Sequence, residues 1–380
     1  MLTTSEAKAQ SLDKGPIGGA LLAVEEALTG AGTWNTAHQQ VQRAVAGPVD
    51  AGTHTGLYHG APAVLVLLEA ASADGRPRYA AERDLLHRHV RHLVQQRLAD
   101  AQTRLAGRRA AGFAEYDLFH GLTGLGALLL RTQPTSTELG DVLRYLIRLT
   151  EPYRLDGLTV PGWWVDHHPD QLAPTPGGHA NLGIAHGAAG ILAVLSMAVR
   201  TGYEIDGQFA AIGELTASFD RWRQEDQHGT WWPQWITRDD LAAGHTAQHE
   251  PGRPGWCYGT PGIARALQLA AIATREPTRQ AAAETALADS LHDAALDLLT
   301  DGGLCHGLAG VYQTAYRAGE DATTLTVARR LPALAERLAA TDPLTDDGLL
   351  TGDAGRQLAL LTARTGTPPT SRWDTCLLIA

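Results

Sequence analysis

The scarcity of several residue types narrows the chemistry before any motif is read. Among 380 residues there are three cysteines, two methionines and four phenylalanines. Three thiols, Cys257, Cys305 and Cys376, form an odd and sparse set, which excludes a disulfide framework and suits a reducing compartment where thiols serve chemistry or metals. No stretch approaches the roughly 18 consecutive apolar residues of a membrane span. The opening "MLTTSEAKAQSLDKG" is polar. A soluble, cytoplasmic protein is expected. Positive charge is short as well: the net charge is −10, and the Arg-rich "ERDLLHRHVRHLVQQRLADAQTRLAGRR" spaces its charges as a solvated helix face does. Nucleic acid is therefore not an expected partner. The β-branched alternation that marks strands is nearly missing outside short loop pieces.

What is present is a repeat. Six segments align on a central glycine: "GLYHGAPA" (56–63), "DLFHGLTG" (117–124), "GIAHGAAG" (183–190), "GWCYGTPG" (255–262), "GLCHGLAG" (303–310) and "GLLTGDAG" (348–355). Their central glycines, 60, 121, 187, 259, 307 and 352, lie 61, 66, 72, 48 and 45 residues apart, and a weaker seventh copy begins at Gly15. An Ala- and Leu-rich run follows each glycine, apolar on nearly every side. The segments between (84–100, 208–224, 280–299, 322–340) carry apolar residues at three-to-four spacing among charges. Inner helices alternating with amphipathic outer ones predict stacked helical hairpins. Small residues at the start of every inner helix favour a closed α/α toroid over an open solenoid, because they let helices crowd round one narrow mouth. Closure also makes the chain one domain, 1–380, where length alone would split it.

Function is sought where the copies differ. Cys257 and Cys305 hold the same place in consecutive repeats, so the symmetry predicts two thiols at one level of the mouth, with His306 beside them. Two sulfurs and an imidazole make a catalytic-type zinc set with an open fourth position, in which a bound thiol is held deprotonated. The alternative is a pair of small hydrophobes in a tight core. His59, His120 and His186 share the register of His306, and a His-Gly pair is equally read as a helix cap. Asp117 stands where the other five copies have glycine, so it is either an Asx-type cap or a carboxylate orienting a histidine. The tryptophans of "VPGWWVDHHPD" and "GTWWPQW" line a peptide site or, for most of them, seal the cores between hairpins. Adjacent His167 and His168 point apart in most backbones and make a poor metal pair.

With "NLGIAHGAAG", "WCYGTPG" and "LCHGLAG" in that order, nearly the whole chain resembles the lanthionine synthetase C-like family, the lanthipeptide cyclases. The resemblance implies an α/α toroid of about seven inner and seven outer helices and one zinc ion on Cys257, Cys305 and His306. It further implies that His186, Asp117, Arg253 and Tyr258 line the site, the Arg253 neighbourhood being the least regular. The expected reaction adds a peptide cysteine thiol to dehydroalanine or dehydrobutyrine, closing a (methyl)lanthionine ring. Its substrate is a dehydrated precursor peptide, leader plus core. With no dehydratase or kinase region before the toroid, the similarity is to free-standing bacterial cyclases that follow a separate dehydratase. A glutathione-adding relative and a non-catalytic, zinc-stabilised peptide adaptor are the alternatives.

Overall fold

Every glycine aligned in the sequence is the N-cap of a helix. The computed structural model describes residues 10–107, 109–170 and 172–380; the first nine residues of the domain expected over 1–380, with Arg108 and Gln171, lie outside them. Seven inner helices follow the seven glycines, and six are paired with an outer helix. The hairpins are α1 (Pro16–Thr29) with α2 (Trp34–Ala44), α3 (Ala61–Ala70) with α4 (Ala80–Ala106), and α5 (Leu122–Thr132) with α6 (Thr137–Arg148). They continue as α7 (Ala188–Arg200) with α8 (Gln208–Trp222), α9 (Thr260–Thr274) with α10 (Pro277–Asp289), and α11 (Leu308–Asp321) with α12 (Leu331–Ala339). The last inner helix, α13 (Asp353–Thr365), hands on directly to the C-terminal segment.

Burial follows the two predicted patterns. All of α3 except Glu69 is buried, as an enclosed helix requires. In α6 the core face is Leu139, Val142, Leu143 and Leu146, at helical spacing. Two outer segments are shorter than predicted. The 280–299 stretch breaks after Asp289, and His292 caps a new turn, Asp293–Leu296, by accepting from the Ala295 N–H. The 322–340 stretch becomes helical only at Ala328, because Thr323 and Thr324 hydrogen-bond instead to Glu284 of α10.

The second glycine that closes five of the six clear motifs has a packing reason. In five repeats a Cβ at that position meets the carbonyl oxygen six residues earlier at 1.8–2.4 Å: Leu118 for Gly124, Ile184 for Gly190, Trp256 for Gly262, Leu304 for Gly310 and Leu349 for Gly355. Only glycine lets that strand of chain lie on the first turn of the helix.

The incoming strands then close on one another. Backbone hydrogen bonds run Leu12 N to Tyr58 O (2.9 Å), Tyr58 N to Phe119 O (3.4 Å), Leu118 N to Ala185 O (3.0 Å) and Ala185 N to Cys257 O (3.4 Å). The circuit continues from Cys257 N to Cys305 O (3.2 Å) and Cys305 N to Leu350 O (3.0 Å), and Leu350 N returns to Leu12 O (3.3 Å). This belt joins all seven repeats, and α13 packs on α1 beneath it, so the helices form a closed α/α toroid. The C-terminal segment fills the ring below the belt. Trp256 Nε1 donates to Leu377 O (2.9 Å), Tyr58 Oη to Cys376 O (2.9 Å) and Arg265 Nε to Ile379 O (2.9 Å). Cys376 is buried there, its Sγ bonded to Trp373 O. Three short antiparallel ladders decorate the long linkers; two are hairpins with two-residue turns, and the third, His179–Asn181 against Trp235–Thr237, ties the approach to α7 to the approach to α9.

Candidate active site

The belt sets the residues singled out from the sequence on two neighbouring arcs. On one, Cys257 and Cys305 stand side by side, joined through their backbones. The hydrogen bond from Cys305 holds Cys257 below the ordinary thiol value, and the same contact, together with burial, pushes Cys305 far above it. His306 is raised by its hydrogen bond with Cys305, and its Nε2 lies 3.4 Å from Asp301 Oδ2. Arg253 is exposed on the same arc, its positive charge further favouring the Cys257 thiolate.

Among the described residues, no three His, Cys, Asp or Glu side chains already stand round one point at ligand spacing. Cys257 and Cys305 are instead joined through their backbones, with His306 next in the chain. Their donor chemistry fits zinc: two soft sulfurs, one of them with its thiol pKa lowered, and an imidazole beside a carboxylate.

On the other arc the two sequence readings of Asp117 both hold. Its Oδ1 accepts from the N–H groups of His120 (2.8 Å) and Gly121 (2.9 Å), capping α5. Its Oδ2 faces His186 Nδ1 at 2.8 Å. Asp117 is only 2% exposed, so this bond is shielded from water. With Nδ1 engaged by the carboxylate, the other ring nitrogen of His186, Nε2, is left for a further partner. The ring is stacked on Phe113 (centroids 4.8 Å, 23°) and flanked by Phe119 (4.8 Å) and Tyr258 (5.9 Å). Tyr258 follows Cys257 and so joins the arcs. Burial, with the nearby thiols, pushes its hydroxyl well above the ordinary value and keeps it a protonated donor.

Other candidates fall elsewhere. His59 and His120 stack on each other (5.1 Å), half-buried, with desolvation lowering both pKa values. His167 and His168 use their ring nitrogens in separate local bonds, with His168 O and Phe113 N for one and Thr175 for the other. Trp163, Trp164, Trp231, Trp232 and Trp256 are buried as core, whereas Trp235 packs edge-on to Tyr258 (6.4 Å) beside the site.

Sequence reasoning missed Phe113, Asn181 and Asp301. Asn181 and Asp301 carried a signal: they stand six residues before a central glycine, a position polar in all six clear copies (His54, Glu115, Asn181, Arg253, Asp301, Asp346). Phe113 carried none, because it lies on a separate turn, Phe113–Tyr116, placed by tertiary packing.

Comparison with known proteins adds to this geometry. The sequence model of the family described as "Lanthionine synthetase C-like protein" matches residues 7–378. "Nisin biosynthesis protein NisC" of Lactococcus lactis subsp. lactis is 25% identical over 214 residues, 54% of this chain and 49% of that protein. The matched stretch thus spans about half the length of that relative. A solved structure described as "Nisin cyclase" superimposes with a TM-score of 0.82 at 19% identity, covering 98% of this chain and 92% of that one, a likeness of fold. No helix among the described residues is long and apolar enough to cross a membrane.

Proposed function

The chain belongs to the lanthionine synthetase C-like family, and from that premise we propose that it is a zinc-dependent lanthipeptide cyclase. In this reading it adds cysteine thiols of a dehydrated precursor peptide to dehydroalanine or dehydrobutyrine, after a separate dehydratase has acted. The observation that carries the reading is the convergence, on adjoining arcs of one belt, of Cys257, Cys305 and His306 with a shielded Asp117–His186 pair.

Cys257, Cys305 and His306 would hold the ion. When bound, zinc keeps the incoming substrate thiol deprotonated at neutral pH. The thiolate sulfur forms a bond to the β-carbon, the C=C π electrons move to the carbonyl oxygen as an enolate, and the α-carbon then takes a proton. His186 Nε2 delivers that proton, its Nδ1 held by Asp117 so that the ring is correctly turned. Phe113 and Phe119 pin the ring from its faces and limit water around it. Tyr258, kept protonated, and Arg253, a fixed cation, are donors for the enolate oxygen. The overall step moves S–H across C=C with no further reactant.

The test is a peptide bearing one cysteine and one dehydroalanine, incubated with the zinc-loaded protein, with and without glutathione. Loss of free thiol at unchanged mass is expected. A glutathione-sized mass gain would point to intermolecular addition, and full zinc occupancy with no thiol consumed would point to a peptide-binding adaptor; either result overturns the cyclase reading.

A further inference from the structure

The Asn181 carboxamide is completely buried, yet only half of it has a job. Its Oδ1 accepts from the Gly183 N–H at 2.9 Å, closing the turn that enters α7. Asp301 and Asp346, at the same position of their repeats, make the same bond to Gly303 and Gly348, each at 2.7 Å. The turn therefore needs one oxygen, and a carboxylate serves. The amide nitrogen is what sets Asn181 apart, and Nδ2 is buried with no hydrogen-bond partner.

Leaving such a donor unpaired away from water is costly, so it is normally engaged. Its surroundings indicate by what. Asn181 pairs across the ladder with Trp235, whose ring meets that of Tyr258. The Tyr258 ring also lies against Gly183, the residue that Asn181 binds. Tyr258, whose ring meets both Gly183 and the ladder partner of Asn181, thus brings its hydroxyl into the neighbourhood of the amide. Bonding of Oδ1 to Gly183 settles which end of the carboxamide is the nitrogen. Because Nδ2 is sealed from solvent, it has no route to a substrate and acts only through a neighbour.

We propose that Asn181 is a positioning residue that donates its Nδ2–H to the Tyr258 hydroxyl oxygen and thereby sets the direction of the Tyr258 proton. An amide NH₂ only donates, so the phenol oxygen must accept, and its single O–H is left free to point at the enolate oxygen. A carboxylate in the same place would do the reverse, capturing the phenol proton. This inference rests on the cyclase reading for the use made of that proton, but not for the bond itself.

Asn181→Asp tests it, since Asp301 and Asp346 show that aspartate supports the same turn. Zinc content and unfolding midpoint should stay near wild type while ring formation slows about a hundred- to a thousandfold, as for loss of one oxyanion donor. Asn181→Asp in a Tyr258→Phe background should cost nothing further. A full additional slowing there, or wild-type speed for Asn181→Asp alone, overturns the proposal. Independently of activity, the tyrosine Raman Fermi doublet in difference spectra against Tyr258→Phe should move from the accepting to the donating form in Asn181→Asp. If no ring forms even in wild type but the doublet moves, the cyclase reading fails and the Asn181–Tyr258 pair stands; an unmoved doublet overturns the pair.

Discussion

Replacing Asp117 by Asn separates the two roles that one carboxylate performs. Asparagine retains an oxygen for the His120 and Gly121 N–H groups, so the cap on α5 survives. The NH₂ end then faces His186 Nδ1, now 2.8 Å from Oδ2. A donor opposite a donor forces the ring to present its Nδ1 lone pair there and to carry its proton on Nε2. The protonated ring, which needs an acceptor at Nδ1, loses it. A buried hydrogen bond to a charged group is worth about 1.5–3 kcal/mol. At 1.36 kcal/mol per factor of ten, ring closure should slow by about ten- to a hundred-and-fiftyfold. The assay is single-turnover loss of peptide thiol, read by alkylation and mass, beside denaturant unfolding and metal analysis. Zinc content and stability should be nearly unchanged in Asp117→Asn, whereas Asp117→Ala should also lose about 1–2 kcal/mol with its cap. Wild-type turnover by a folded, zinc-loaded Asp117→Asn would refute the assignment of His186 as a proton donor steadied by Asp117.

Cys305→Ala should abolish both bound zinc and ring formation; metal analysis showing full occupancy with activity would contradict the ligand set. Gly310→Ala places a Cβ 1.9 Å from the Leu304 carbonyl, next to Cys305, and should cost about 1–3 kcal/mol in unfolding and weaken zinc binding in parallel. Glu69 on α3 is bonded by Arg83 and His87 of α4 at 2.8 Å each; burial raises its pKa, but these bonds outweigh it and hold the carboxyl at about 2. Its stabilisation, about 1–3 kcal/mol, is therefore present above the ordinary glutamate range and lost as pH falls toward 2. The stability gap between wild type and Glu69→Gln, measured by urea unfolding, should be constant near neutrality and vanish in acid.

Part of the site was legible because a repeat turns spacing along the chain into position in space. Cys257 and Cys305 could be placed together only through the register of their central glycines, and the belt bonds them at that register. The same logic located Asp117 as an odd member among glycines. It could not say that its second oxygen would reach His186, since that depends on the stagger between two repeats. Outer-helix ends were misjudged where side chains of other hairpins competed for the chain, as Glu284 does for Thr323 and Thr324.

The amino-acid order by itself determined the helical hairpins, the glycines that start and pack them, and the residues that differ from copy to copy. Those are local matters, decided by backbone freedom and by which faces are apolar. Tertiary structure alone decided that the belt returns from Leu350 to Leu12, that the C-terminal segment fills the ring, and that Phe113 and Asn181 reach the site. Each of these joins residues far apart along the chain, and no local preference encodes a contact whose partner arrives only when the circle closes.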